Sequence, residues 1–251
     1  MRFIAIIPAR YGSSRFPGKP LAKLGGKAII QRVYERVKQC FEDVFVATDD
    51  QRILDVVEAF GGKAVMTSAN HRSGTDRCWE AYTRCGVKAD VVVNVQGDEP
   101  FIHSSQLDTI RECFDQSDID IATLGKPFAP ADGIDALSNP NSPKIVLGKD
   151  GNALYFSRSV IPYLRDFPRE EWLEHHTFYK HIGLYAYRTD VLERITRMPQ
   201  GVLERAESLE QLRWLENGLK IRVGMTHAET IGIDTPEDLK RAEAYLLTEH
   251  N

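Results

Sequence analysis

The chain alternates short apolar runs with longer stretches in which apolar positions return every three or four residues. FIAII (3–7), VFVAT (44–48), KAVMT (63–67) and VVVNV (91–95) are nearly continuous apolar or β-branched runs. Runs of that length with so few polar interruptions suit strands buried on both faces. Between them, residues 28–40 carry Ile29, Ile30, Val33 and Val37 at helical spacing, and DQRILDVVEAF (50–60) and TDRCWEAYTRC (75–85) show the same period. Strand and helix in alternation predict an α/β fold with a central, mostly parallel sheet and helices on both faces. In such sheets ligands sit beyond the carboxyl ends of the strands. The loop after the first run, which Pro8 closes, and QGDEP (96–100) after VVVNV are therefore where a phosphate-bearing ligand is expected.

The pattern changes after about residue 118. DIATL (120–124) and the two halves of PKIVLGKDGNALYF (143–156) read as strands, the latter pair joined by a turn around Lys149, Asp150 and Gly151. KHIGLYAYR (180–188) alternates as a strand does, and KIRVGM (220–225) is another. VLERAESLEQLRWLENG (202–218) reads as one helical stretch ended by Gly218. TPEDLKRAEAYLL (235–247) opens on Thr, Pro and two acids, a good helix start. No linker, low-complexity tract or repeat interrupts the chain. The expectation is a single domain over 1–251, with an inserted antiparallel portion at about 120–190.

Composition narrows the function. The 251 residues are 42% apolar, enough for a full-sized core. The net charge of −4 disfavours a general nucleic-acid binder, so any anion site must be a local patch of cations. Cys40, Cys78, Cys85 and Cys113 form no C-x-x-C pair and read as reduced thiols. No apolar run reaches the length of a signal peptide or a membrane span. A soluble cytoplasmic protein without membrane contact is expected. Trp79, Trp172 and Trp214 read as packing residues.

The local patch is IIPARYGSSRFPGKPL (6–21). Arg10, Arg15 and Lys19 lie within ten residues, spaced by Gly12, Ser13, Ser14, Pro17 and Gly18. Three cations at the end of a buried strand repel one another unless a polyanion sits among them. Guanidinium forks suit phosphate oxygens, and a glycine-rich backbone can offer its N–H groups as an anion nest. An exposed basic loop paired to local carboxylates would read the same way. Neither G-x-x-x-x-G-K-[ST] nor G-x-G-x-x-G occurs in the loop, which disfavours P-loop hydrolysis and dinucleotide binding.

The strand followed by PARYGSSRFPGKPL resembles the signature of the sugar nucleotidyltransferases. Together with ATDD (47–50), SGTDR (73–77), NVQGDEP (94–100) and IDTPEDL (233–239), it resembles the 3-deoxy-manno-octulosonate (Kdo) cytidylyltransferases, also called CMP-Kdo synthetases. The likeness runs from the first strand to the last helix. It implies a Rossmann-like nucleotide-diphospho-sugar transferase fold. It also implies transfer of CMP from CTP to the 2-hydroxyl of Kdo, with release of pyrophosphate, for lipopolysaccharide biosynthesis. The same chemistry on sialic acid or an 8-amino Kdo analogue is the nearest rival. A glycosyltransferase and a non-catalytic nucleotide-binding regulator are the others.

The resemblance assigns roles. Lys19, Arg10 and Asp98 are the catalytic candidates. Arg10, Gly12, Ser13, Ser14, Arg15, Lys19, Ser73, Gly74, Thr75, Arg77 and Gln96 are the nucleotide candidates. Asp98 and Asp234 match the family's metal-binding aspartates, with Mg2+ as the cofactor. Read alone, Asp98 serves equally as a turn residue, and Asp234 as a residue beside a helix start. The same holds for Thr75 at the start of its helix. Gln96, Arg158, His181, Tyr185, Glu207, Glu210 and Gln211 are the candidates for Kdo, whose carboxylate and hydroxyls call for cations, amides and acids. By spacing, His181 and Tyr185 share one side of a strand, and Glu207, Glu210 and Gln211 share a helix face. Core and solvated faces follow the same spacing. The family also implies a homodimer, with the antiparallel portion as the interface.

Overall fold

The computed structural model describes residues 1–13, 15–115, 118–228 and 231–249. In chain order its elements begin β1 (Phe3–Ala9), β2 (Lys23–Leu24), β3 (Lys27–Ala28), α1 (Ile29–Lys38), β4 (Val44–Thr48), α2 (Gln51–Ala59), β5 (Ala64–Met66), α3 (Gly74–Arg84), β6 (Val91–Asn94) and α4 (Ser104–Glu112). Then come β7 (Ile121–Pro127), α5 (Gly133–Ser138), β8 (Lys144–Leu147), β9 (Ala153–Ser157), α6 (Trp172–His175) and β10 (Tyr179–Arg188). The chain closes with α7 (Thr189–Thr196), α8 (Val202–Glu207), α9 (Gln211–Glu216), β11 (Ile221–Met225) and α10 (Pro236–Glu249). Two compact units result. Met1–Leu107, Arg188–Thr196 and Glu229–Asn251 make the first, and Asp108–Tyr187 with Arg197–Ala228 make the second.

The first unit holds four parallel strands in the order β6–β1–β4–β5. Ile4 to Ile7, Val44, Val46, Ala47 and Val91 to Val93 are 0% exposed, which accounts for the near absence of polar residues in these runs. Connections between parallel strands are right-handed. The steps β1 to β4 and β4 to β5 run in one direction, so α1 and α2 share a face. The step from β5 to β6 runs back past β1, so α3 lies on the opposite face. The order therefore reverses between β1 and β6. A crevice opens there beyond the carboxyl ends of the strands, where doubly wound sheets bind ligands.

The second unit is richer in antiparallel pairs. Its order is β11–β7–β10–β8–β9, with β11 and β7 parallel and the other neighbours antiparallel. Its antiparallel strands run from β7 to β10. The register of β10 on β7 shifts between Ile182 and Tyr185, so Gly183 and Leu184 are extra residues on the longer strand. Thr123 fills the kink: its Oγ1 lies 3.2 Å from the Ile182 carbonyl, 2.9 Å from the Leu184 carbonyl and 3.0 Å from His181 Nε2.

Two local expectations change. The first strand continues through Pro8 to Ala9, because proline's fixed φ is compatible with extended backbone. The stretch 202–218 is two short helices, not one. Ser208 takes φ 51°, a left-handed conformation that ends α8, and α9 starts three residues later. Glu207, Glu210 and Gln211 therefore do not lie on one continuous helix face. Trp172 and Trp214 are buried, at 2% and 0% exposure, as packing residues should be. All four cysteines are free thiols. Among the described residues no helix is long and apolar enough to cross a membrane.

Candidate active site

The loop that leaves β1 is held from three sides. The Gly18 N–H donates to the Tyr11 carbonyl at 2.9 Å, closing the loop on itself. Gly18 has φ 70°, a left-handed conformation that favours glycine, and a Cβ there would make a tight 3.1 Å contact with the Tyr11 ring. The Arg52 guanidinium lies over that ring, 3.4 Å from its centroid. Arg52 is in turn gripped by both oxygens of Asp50, at 2.9 and 2.7 Å, and the same Asp50 caps α2 through the Arg52 N–H. The loop is thereby clamped to the start of α2. Its charged side chains turn the other way. Lys19 Nζ donates to Asp98 Oδ2 at 2.6 Å and to Asp234 Oδ1 at 3.1 Å. Arg15 pairs with Asp234 Oδ2 at 3.2 Å.

The two aspartates reach that point by separate routes. Asp98 follows β6 on a loop that passes over the end of β1. A Cβ on Gly97 would lie 2.8 Å from the Pro8 carbonyl oxygen, so only glycine lets the two backbones come this close. The Ile233 N–H donates to the Asp98 carbonyl at 2.9 Å and ties the second loop to the first. Asp238 then fixes the turn before α10 by accepting the N–H groups of Asp234 and Thr235 at 3.0 and 2.9 Å. Burial works to raise the Asp238 carboxyl pKa, but these hydrogen bonds outweigh it and leave it lowered.

The third wall is the start of α3. Ser73 caps the helix by accepting the Asp76 N–H at 3.2 Å, and Ser73 and Gly74 bring the helix N-terminus to the same crevice. Arg77 is a buried cation, held by Asp49 Oδ2 at 2.8 Å and Thr67 Oγ1 at 2.7 Å. One cavity is lined by Arg10, Ser13, Arg15, Lys19, Ser73, Gly74, Arg77, Gln96, Asp98 and Asp234. Those ten sequence candidates thus come together. Gly12 is exposed and lies outside the lining, and Thr75 is buried on the inner side of α3. Ser14 lies outside the described residues. His71 and Arg72 also line the cavity, although neither was singled out. His71 Nε2 bonds Glu80 Oε2, which also accepts the Ser68 N–H at 2.8 Å, so α3 orders the loop before it. The signal was present in NHRSGTDR, but a partner nine positions away on another element does not appear in the sequence pattern.

The remaining candidates lie in the second unit. Ser157 Oγ donates to Glu207 Oε1 at 2.6 Å, and the Arg158 N–H to Glu207 Oε2 at 3.0 Å. The Arg158 guanidinium donates to the carbonyls of Glu207, Pro140 and Ser208. Arg158 and Glu207 are therefore committed to each other and to the backbone. Glu210 is held by Arg213 at 2.7 Å. His181 and Tyr185 do share a side of β10, with ring centroids 5.3 Å apart. Burial pushes the His181 pKa down to about 3 and the Tyr185 pKa well above its ordinary value. Tyr185 Oη, Gln211 Nε2 and Trp214 Nε1 are buried without hydrogen-bond partners, which is costly unless something polar meets them.

The donor set favours one kind of cation site. Among the described residues no group of three or more His, Cys, Asp or Glu is gathered for a metal. Asp98 and Asp234 nonetheless both reach one cation, the Lys19 ammonium. Two carboxylates within reach of one positive charge, in a cavity lined by phosphate-binding residue types, fit magnesium. That ion takes one or two protein carboxylates and completes its shell with waters and phosphate oxygens.

A family model described as Cytidylyltransferase matches residues 4–221. The 3-deoxy-manno-octulosonate cytidylyltransferase of Phocaeicola vulgatus is 65% identical over 246 residues, covering 98% of both chains. The 8-amino-3,8-dideoxy-manno-octulosonate cytidylyltransferase of Shewanella piezotolerans is 45% identical over 98% of this chain and 99% of its own. A solved structure of CMP:2-keto-3-deoxy-manno-octonic acid synthetase complexed with CTP superposes with a TM-score of 0.90 at 43% identity, covering 99% of this chain and all of the other.

Proposed function

We infer the activity from the premise that this chain belongs to the 3-deoxy-manno-octulosonate cytidylyltransferase family. It is a nucleotidyltransferase that moves CMP from CTP to the 2-hydroxyl of Kdo, releases pyrophosphate and serves lipopolysaccharide biosynthesis. The observation that carries the reading is the meeting of Arg15 and Lys19 with Asp98 and Asp234 in the crevice between β1 and β6. The Kdo oxygen forms a bond to the α-phosphorus while the bond from that phosphorus to the departing pyrophosphate oxygen breaks. The hydroxyl proton passes to solvent. Such transfers need in-line positioning and charge stabilisation more than covalent catalysis.

In this reading Arg10, Arg15 and Lys19 hold the triphosphate and offset the charge that grows on pyrophosphate, with the N-terminus of α3 beside them. Ser13, Ser73, Gly74, Arg77 and Gln96 shape the nucleotide cavity. Asp98 and Asp234 hold magnesium. When bound, the ion polarises the α-phosphate and lowers the pKa of the attacking hydroxyl. Of the Kdo candidates, Gln96 lines the nucleotide cavity, and His181, Tyr185, Glu210 and Gln211 belong to the second unit. The unpartnered Tyr185 Oη and Gln211 Nε2 support the Kdo reading, since a polyhydroxylated acid would satisfy both. Arg158 and Glu207 act through the backbone they brace. A homodimer and a cytoplasmic location complete the reading. The first is supported by the exposed Leu154, Tyr163, Phe167, Val202 and Leu203 of the second unit, the second by four free thiols.

The test is pyrophosphate release from CTP and magnesium, with Kdo, its 8-amino analogue and N-acetylneuraminate offered in separate reactions. Release with Kdo is expected. Release only with another acid would overturn the substrate while leaving the nucleotide chemistry in place.

A further inference from the structure

The cations that a triphosphate needs are already in contact with the carboxylates that a metal needs. Lys19 Nζ lies 2.6 Å from Asp98 Oδ2 and 3.1 Å from Asp234 Oδ1, and Arg15 lies 3.2 Å from the other oxygen of Asp234. The Lys19 side chain is 14% exposed, so its ammonium is held within the cavity and does not sweep through solvent. Its pair with Asp98 is thus unlike exposed surface pairs, which contribute little, while Asp234 is half exposed. The loop backbone behind it is fixed by Gly18 and Tyr11, and the turn behind Asp234 is fixed by Asp238.

We propose that Lys19 is an internal cation exchanged on substrate binding. The carboxylates pass from the ammonium to the metal, and the ammonium passes from the carboxylates to the triphosphate. The proposal rests on the metal reading above and concerns a step before chemistry. Its logic is the pairing of charges at close range. Metal arriving alone must displace Lys19 and leave an ammonium facing a divalent cation. Nucleotide arriving alone must draw Lys19 off two carboxylates, which then face phosphate oxygens of like charge. When both arrive, every charge meets its opposite. Each ligand therefore strengthens the binding of the other, and by linkage the two effects are equal. The loop cations are in this way both part of the phosphate site and a bar to half-loaded states.

Two binding measurements on the full chain test the exchange without reference to turnover. In the first, Mn2+ alone is titrated into nucleotide-free protein and followed by the electron paramagnetic resonance of the free ion. Lys19→Met is expected to bind Mn2+ about tenfold more tightly than the parent, within the ordinary range of coupling between ligands. Arg10→Met, which removes a cation lining the same cavity, should change the affinity less, because among the described residues Arg10 pairs with neither aspartate. In the second, CTP is titrated by calorimetry in the presence of EDTA. Asp98→Asn, which removes one of the two carboxylates that hold the ammonium, is expected to tighten metal-free CTP, and adding Lys19→Met should cancel that gain. Equal Mn2+ affinity in Lys19→Met and the parent, or a gain in the Asp98→Asn protein that survives loss of Lys19, overturns the exchange. The metal reading falls separately, if Asp98→Asn and Asp234→Asn both leave Mn2+ retention by the CTP-loaded protein unchanged.

Discussion

At the scale of single residues, the site is a set of charges whose environments differ. Lys19 sits between two carboxylates at the point where the triphosphate is expected. Lys19→Ala should lower kcat by about 10²–10³ at saturating CTP and magnesium, the usual effect of losing one preorganised electrostatic stabiliser. A kcat within threefold of the parent would remove Lys19 from the chemistry. His181 makes a prediction of the opposite kind, about stability. Burial pushes its pKa down to about 3, against an ordinary value near 6.5. Between those two values the unfolded chain binds a proton that the folded chain refuses. This group therefore makes the fold less stable as pH falls from about 6.5 towards 3, by up to about 1.4 kcal/mol per pH unit. Urea midpoints at pH 6.5 and pH 4 should differ less in His181→Gln than in the parent. The cationic loop was legible because three cations at the end of a buried strand repel one another without an anion, whereas the two aspartates, ordinary turn and helix-start residues by type, were legible only through the family resemblance. The Asp49–Arg77 and Glu80–His71 contacts were not legible, since each joins residues that no periodicity relates.

At the scale of elements, two devices set the geometry around the site. Asp50 caps α2 and also holds Arg52 against Tyr11. Asp50→Ala should cost about 1 kcal/mol of stability, the ordinary cost of a lost cap, readable in a urea titration. It should also weaken CTP binding, because the clamp on the first loop goes with it. In the second unit, Ser208 is a non-glycine residue in a left-handed conformation. Ser208→Gly should raise stability by about 0.5–1 kcal/mol, since the strain of a Cβ there exceeds the flexibility that glycine adds. An unchanged or lower midpoint would show that the break between α8 and α9 is held by something other than that residue. The helix period of 202–218 concealed this break. The apolar spacing continues across it, and the backbone turn is imposed by packing and by Arg158 bonding to the carbonyls of Glu207 and Ser208. The strands of the first unit were read closely because burial on both faces leaves few residue types available.

At the scale of the whole molecule, the net charge is −4 while one crevice gathers Arg10, Arg15, Lys19, Arg72 and Arg77 against Asp98 and Asp234. Such local focusing attracts an anionic nucleotide to an acidic protein and is screened by salt. Raising ionic strength from about 0.05 to 0.5 M should raise KM for CTP several-fold while kcat changes little, because the Debye length falls to within contact distances. A KM insensitive to salt would mean that the cations act only at contact. The sequence by itself determined the class of fold, the order of most elements and the cationic loop. It could do so because local periodicity, turn chemistry and charge are properties of neighbouring residues. Tertiary structure alone decided that Lys19 meets Asp98 and Asp234, 79 and 215 positions further along, and that burial lowers the His181 pKa. Those outcomes depend on where the strand order reverses and on what packs over each side chain. No stretch of neighbouring residues records either.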